Sequence, residues 1–146
     1  MQISFGGDFT VRKTEEEVYK FLTDAERFCP LLPDYKGMTK DDDTHFTVTL
    51  SVGISHIRGD AKVKMTLAET EPPVRAVYQG KGDVAGGTAT LTAGFDLEKV
   101  PDGTKVIWKG QAQVVGRLAS LAGGLLEPLA KKNVQRLIDG LQAALA

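Results

Sequence analysis

The stretch from Arg117 to Ala146 constrains the fold more than any other part of the chain. A helix of this length would measure roughly 45 Å and would not be stable on propensity alone, so one face of it must pack against another element. The sequence before it reads almost entirely as strands. We therefore expect one long helix held by one curved sheet. The apolar residues of the stretch recur at intervals of three and four, as on one face of an α-helix; they are Leu118, Leu121, Ala122, Leu125, Leu126, Leu129, Val134, Leu137, Ile138, Leu141 and Leu145.

Three residues inside this stretch are unfavourable in the interior of a helix. Gly123 and Gly124 raise the entropic cost of ordering the backbone, and Pro128 lacks a backbone donor and clashes with the preceding turn. We therefore predict a kink or a break between Gly123 and Pro128. Two interpretations remain open. Either the glycines let the helix lie close to the sheet, or the first half of the helix moves and gates whatever lies beneath it.

The first part of the chain predicts one strand followed by two short helices. Apolar residues alternate over positions 1–11 around Gly6-Gly7, which predicts a strand with a glycine bulge or bend. Thr14 and Glu17 form a capping-box pattern at the start of a short helix. Asp24 is the predicted cap of a second helix, which the prolines that follow bring to an end.

From Tyr35 onward the sequence predicts a meander of antiparallel strands. Apolar and polar residues alternate within each strand, so one face of the sheet is expected to be solvated and the other buried. The predicted strands cover residues 35–40, 44–53, 57–67, 74–83, 88–100 and 104–114. The predicted fold is therefore α+β, a curved antiparallel sheet wrapped around a long C-terminal helix, with two short helices after the first strand.

Small residues are unusually frequent on the predicted inner face of the sheet: Gly59, Ala61, Ala76, Gly80, Ala89, Ala93, Gly110 and Ala112. They could ease the curvature of the sheet and admit the helix. Alternatively, they could leave an apolar cavity of the kind that holds small ligands. In that case the predicted ligand-binding residues are Phe46, Val48, Leu50, Met65, Tyr78, Phe95, Trp108, Leu121, Leu125 and Leu129.

Composition narrows the class of protein. With 146 residues, 42% of them hydrophobic, we expect one domain over residues 1–146. The formal net charge of -1 gives no electrostatic basis for binding nucleic acid or an anionic membrane. We find neither a signal-peptide pattern nor an apolar run long enough to span a membrane, so we expect an intracellular protein. The single cysteine, Cys29, excludes an internal disulfide.

We find no pattern of residues that predicts catalysis, a metal site or a cofactor. His45 and His56 have no metal-ligand spacing to a carboxylate or cysteine and are predicted to be surface residues. Cys29 is at least as readily a structural thiol as a nucleophile. The glycine-rich segments at 80–82 and 86–87 precede no helix, which a phosphate loop requires. The run Asp41 to Asp43 lacks the other ligands of a calcium loop.

The order of elements resembles the helix-grip fold of the START and Bet v 1-like (SRPBCC) superfamily. Within it, three stretches resemble the CoxG family of carbon monoxide dehydrogenase subunits. They are Phe28-Cys29-Pro30-Leu31-Leu32-Pro33, then Val52-Gly53-Ile54-Ser55 leading through Gly59 to Glu71-Pro72-Pro73, and Val115-Gly116-Arg117-Leu118-Ala119 at the start of the long helix.

The resemblance implies binding rather than catalysis. Members of the family are associated with molybdenum-dependent carbon monoxide dehydrogenases and related hydroxylases, and are thought to bind a lipophilic molecule such as a quinone. On this basis we expect a cytoplasmic accessory protein with a hydrophobic small-molecule ligand and at most peripheral contact with the inner face of the membrane.

Two other functions remain open. The superfamily includes cyclases and hydratases that act inside the cavity, for which Tyr78 and Trp108 are the inward residues with a hydrogen-bonding group. The other is a protein-interaction module whose core is filled by its own side chains.

Overall fold

A computed structural model describes residues 1–54, 57–84 and 86–146, with the backbone alone described at 57, 84 and 121–123. The predicted surface position of His56 therefore lies outside the described residues, as do the side chains of Leu121 and Ala122.

The described residues form seven strands, two short helices and one long helix. Strand neighbours are all antiparallel, in the order β1-β7-β6-β5-β4-β3-β2. The predicted α+β architecture is confirmed. The elements are β1 (Gln2–Val11), α1 (Glu15–Leu22), α2 (Ala25–Phe28), β2 (Tyr35–Lys40), β3 (His45–Ile54), β4 (Ile57–Glu71), β5 (Arg75–Val84), β6 (Gly87–Val100), β7 (Gly103–Gly116) and α3 (Arg117–Ala144), with a 3-10 turn at Cys29–Leu31.

Side-chain caps fix where the two short helices begin. The hydroxyl of Thr14 accepts a hydrogen bond from the backbone N–H of Glu17 at 3.2 Å. The carboxylate of Asp24 accepts one from the N–H of Glu26 at 3.1 Å. Each cap satisfies a donor that the first turn leaves without a helical partner, as the sequence predicted. The caps thereby direct the buried face of α1 onto the sheet, where Val18 is fully buried.

The predicted glycine bulge in β1 is wrong. β1 pairs with β7 in one unbroken register, in which Gly6 lies opposite Lys109 and Gly7 opposite Trp108. A Cβ atom on Gly7 would lie 2.9 Å from Cζ2 of Trp108, closer than carbon atoms normally approach. Gly7 therefore accommodates the indole ring rather than a break in the ladder.

The long helix continues through its unfavourable residues. α3 runs from Arg117 to Ala144 with Pro128 inside it, so the predicted break is wrong, whereas a kink stays a prediction. Both ends of α3 are anchored. Leu118 and Leu126 pack near one end with Ile3 and Val114. Ile138, Leu141 and Leu145 pack near the other end in a cluster with α1 and the sheet. This double anchoring holds the helix across the sheet.

Candidate ligand cavity

A cavity of about 360 Å³ lies between the inner face of the sheet and the C-terminal half of α3. Its volume falls within the range of roughly 300–1,000 Å³ that is usual for ligand pockets. Two depressions of about 390 and 410 Å³ are lined mainly by polar side chains, so the apolar cavity is the candidate site. Its walls are Phe5, Phe9, Leu22, Phe28, Leu32, Pro33, Phe46, Val48, Leu50, Val63, Met65, Tyr78, Leu91, Ala93, Gly94, Phe95, Val106, Trp108, Lys109, Asn133, Val134, Leu137, Ile138 and Leu141.

The structure brings together all the predicted ligand-binding residues that lie on strands. They are Phe46, Val48 and Leu50 on β3, Met65 on β4, Tyr78 on β5, Phe95 on β6 and Trp108 on β7. Alternation along a strand fixes which side chains share a face, and this is why the sequence could group them. Their role in holding a ligand stays a prediction.

Of the three predicted ligand-binding residues on the helix, the two whose side chains are described do not line the cavity. The side chain of Leu121 lies outside the described residues. Leu125 is 55% exposed, and Leu129 is half-buried and does not line the cavity. The helix wall instead consists of residues one to three turns further on: Asn133, Val134, Leu137, Ile138 and Leu141. The apolar periodicity is uniform along α3, so it carries no information on which turns lie over the cavity.

Some wall residues outside the helix were also not predicted from the sequence. Phe5 and Phe9 on β1, and Val63 and Leu91, belong to inward positions that strand alternation could have identified. No sequence pattern could have identified Leu32 and Pro33 as wall residues, because a loop has no periodicity.

An aromatic cluster closes one part of the cavity. The rings of Phe28 and Tyr78 lie 5.6 Å apart between centroids, and Phe46 lies 6.0 Å from each of them. The contacts with Phe46 are edge-to-face, a favourable arrangement for aromatic pairs. Three elements, α2, β3 and β5, are thereby joined at this wall.

The small residues of the sheet have two different roles. Gly110 lies opposite Phe5, and a Cβ atom there would lie 2.5 Å from Cε2 of that ring. Gly80 is covered in the same way by the sulfur of Met65. Ala93, in contrast, lines the cavity directly. The glycines therefore admit neighbouring side chains, while Ala93 leaves open space.

Few polar groups face this space. The Tyr78 hydroxyl donates a hydrogen bond to the backbone oxygen of Leu22 at 2.8 Å, and burial raises the pKa of Tyr78. Asn133 accepts a hydrogen bond from Arg136 at 3.3 Å. Among the described residues, none accepts a hydrogen bond from the buried Nε1–H of Trp108. A buried donor without a partner costs about 1–3 kcal/mol.

Cys29, the candidate nucleophile, and His45, the histidine that the structure describes, do not line the cavity. Cys29 is fully buried, and burial raises the pKa of its thiol to about 12. Its thiolate would be scarce at neutral pH, as in a structural cysteine. His45 hydrogen-bonds Asp42 at 2.9 Å, with half of its side chain exposed, which confirms its predicted surface position.

Neither a metal site nor a membrane-spanning helix is present in the part of the chain that the structure describes. There, no group of three or more His, Cys, Asp and Glu residues could hold a metal ion. None of the helices in that part combines the length and hydrophobicity needed to cross a lipid bilayer.

Comparisons with known proteins agree with this fold. The family model of CoxG, a subunit of carbon monoxide dehydrogenase, matches residues 7–146. A conserved protein from Geobacillus kaustophilus has a similar structure, with a TM-score of 0.84, 19% identity, and coverage of 98% of this chain and 95% of that chain. A START superfamily protein from Mycobacterium smegmatis gives a TM-score of 0.73 at 15% identity, covering 97% and 96%.

A more distant likeness is to the di-domain ARO/CYC StfQ from the steffimycin biosynthetic pathway. Its TM-score is 0.69 at 11% identity, covering 99% of this chain and 51% of that chain. Comparison with curated proteins gives no match.

Proposed function

Since the chain belongs to the CoxG family of carbon monoxide dehydrogenase subunits, we propose that it binds a lipophilic small molecule, a quinone or a lipid, in the cavity beneath α3. Family and fold together indicate a ligand-binding accessory protein. The observation that carries the proposal is the apolar cavity of about 360 Å³, whose walls come from both the sheet and the helix. Burial of apolar surface would supply the binding free energy, at about 25 cal/mol per Å².

The proposed partner is a molybdenum-dependent carbon monoxide dehydrogenase or a related hydroxylase. In this arrangement the partner performs the redox chemistry, and the present chain holds or delivers a lipophilic molecule. On this proposal the protein works in the cytoplasm with at most peripheral contact with the membrane, in keeping with its net charge of -1.

The polar groups of the cavity support binding over cyclase-type catalysis. A general acid or base works best with a pKa near the operating pH. Burial moves the pKa of Tyr78 upward, away from neutrality, and its hydroxyl is already bonded to Leu22. The likeness to a cyclase di-domain at 11% identity concerns the fold alone.

Native mass spectrometry of the protein purified from its own host tests the proposal. We expect a complex whose extra mass is released by organic extraction as a quinone or a lipid. Ala93→Phe should yield the protein without this mass and with an unchanged circular dichroism spectrum, because the ring would occupy the cavity. Ala68→Phe is the matched control, since Ala68 is exposed on strand β4.

Two results would contradict the proposal. One is a wild-type protein that carries no added mass and takes up neither quinones nor fatty acids on incubation. The other is a folded Ala93→Phe variant that keeps the same ligand occupancy as the wild type. Either would favour an interaction module.

A further inference from the structure

Trp108 occupies a distinctive position in the cavity wall. It lies on β7 opposite Gly7 of β1 and Phe95 of β6, on the face of the sheet that α3 covers. The absent side chain of Gly7 leaves room for the indole, whose Nε1 lies 3.5 Å from where a Cβ atom would be. The ring therefore extends toward β1; Trp108 as a whole is half-buried, and it lines the cavity.

The indole nitrogen differs from two other polar atoms of the wall. The Tyr78 hydroxyl is bonded to Leu22, and the Asn133 side-chain oxygen accepts from Arg136. Nε1 of Trp108 is covered from solvent, and within the described part of the chain it has no acceptor. Water therefore cannot replace the missing partner in this geometry. The indole borders the cavity, so a ligand bound there could supply an acceptor once the ring shifts.

We propose that the Trp108 N–H selects ligands that carry a hydrogen-bond acceptor, a carbonyl-type oxygen, on the part that enters the cavity. The inference rests on the proposed function, because it concerns the same cavity. Since Nε1 is covered, the acceptor reaches it only as the indole or a ring beside it shifts. Binding of an acceptor should therefore move the indole, whereas a hydrocarbon of the same shape leaves the N–H unpaired.

Such a donor favours ketones, quinones and esters over hydrocarbons of equal size. A site that offers a buried donor discriminates against an analogue without the acceptor, because the donor then stays unpaired. A single neutral hydrogen bond of this kind corresponds to about a tenfold difference in affinity.

The test uses 1-tetralone and tetralin, bicyclic molecules of nearly the same shape that differ in one carbonyl oxygen. Both are titrated into the wild type and Trp108→Phe, which keeps an aromatic ring but lacks the N–H. We expect Trp108→Phe to weaken 1-tetralone about tenfold and tetralin less than twofold. Tyr19→Phe is the matched control: Tyr19 also has a buried hydroxyl without a partner in the described residues, but it does not line the cavity.

A second measurement keeps the proposal testable should Trp108→Phe fold poorly. Trp108 is the only tryptophan in the chain, so ¹⁵N labelling gives one indole N–H resonance. Its proton should move downfield with 1-tetralone and change little with tetralin.

Equal weakening of both ligands by Trp108→Phe, or an indole proton that does not move downfield with 1-tetralone, would overturn the selection by Trp108 while leaving cavity binding intact. A wild type that binds neither molecule would overturn the proposed cavity function and this inference with it. The two failures are therefore distinguishable.

Discussion

Gly7 and Trp108 show how one missing side chain shapes the cavity wall. The two residues are paired in register between β1 and β7, and a methyl group on Gly7 would lie 2.9 Å from Cζ2 of the indole. Because that distance is below normal contact, any larger residue at position 7 must displace the ring. The position of the indole, and with it the direction of its N–H, therefore depends on a glycine of the neighbouring strand.

The substitution Gly7→Ala tests this dependence. We expect it to destabilise the fold by about 1–3 kcal/mol, as overpacking of a filled site does, and to change the emission of the single tryptophan. Gly53→Ala is the control, because its nearest neighbour is an Arg58 side-chain nitrogen at an ordinary 3.6 Å. Chemical denaturation followed by fluorescence measures both effects. Equal stabilities for the two variants, with unchanged emission, would show that the indole is not held by Gly7.

At the scale of elements, the sequence of a strand predicts which side chains line the cavity better than the sequence of the helix does. Alternation in β3 to β7 identified inward residues such as Phe46 and Trp108, since a strand has only two faces. The periodicity of α3 identified its apolar face, yet Leu125 on that face is 55% exposed. The position of the cavity along α3 depends on how the helix crosses the sheet, and this is a tertiary property. The bulge predicted at Gly6-Gly7 was wrong for a similar reason, because Gly7 makes room for Trp108, which is distant in sequence.

Two identical substitutions in α3 should therefore have very different effects. Leu141 is buried and lines the cavity, so Leu141→Ala should cost about 2–5 kcal/mol and lower ligand occupancy. Leu125 is largely exposed, so Leu125→Ala should change stability by no more than about 0.5 kcal/mol. Urea denaturation gives both free energies of unfolding. A large loss in Leu125→Ala would mean that the first half of the helix packs differently from the structure described above.

At the scale of the whole molecule, the cavity lies where the separate elements meet. Its walls come from α1, α2, α3, the segment before β2, and strands β1 and β3 to β7. A molecule bound there contacts many of these elements at once, and those contacts are lost on unfolding. Binding should therefore raise the stability of the whole fold rather than that of one loop. The identity of the ligand and of the partner depends on molecules outside this chain, so the sequence could suggest them only through family resemblance.

The size of this stabilisation follows from mass action. A ligand that binds only the folded state at a hundred times its Kd adds about 2.7 kcal/mol. For a chain of this size such a gain raises the Tm by roughly 5–10 °C. We expect calorimetry to show this shift for the wild type and Ala68→Phe with 1-tetralone. Ala93→Phe should show almost none, because its own ring fills the cavity. A shift of equal size in Ala93→Phe would mean that the ligand stabilises the protein from another site.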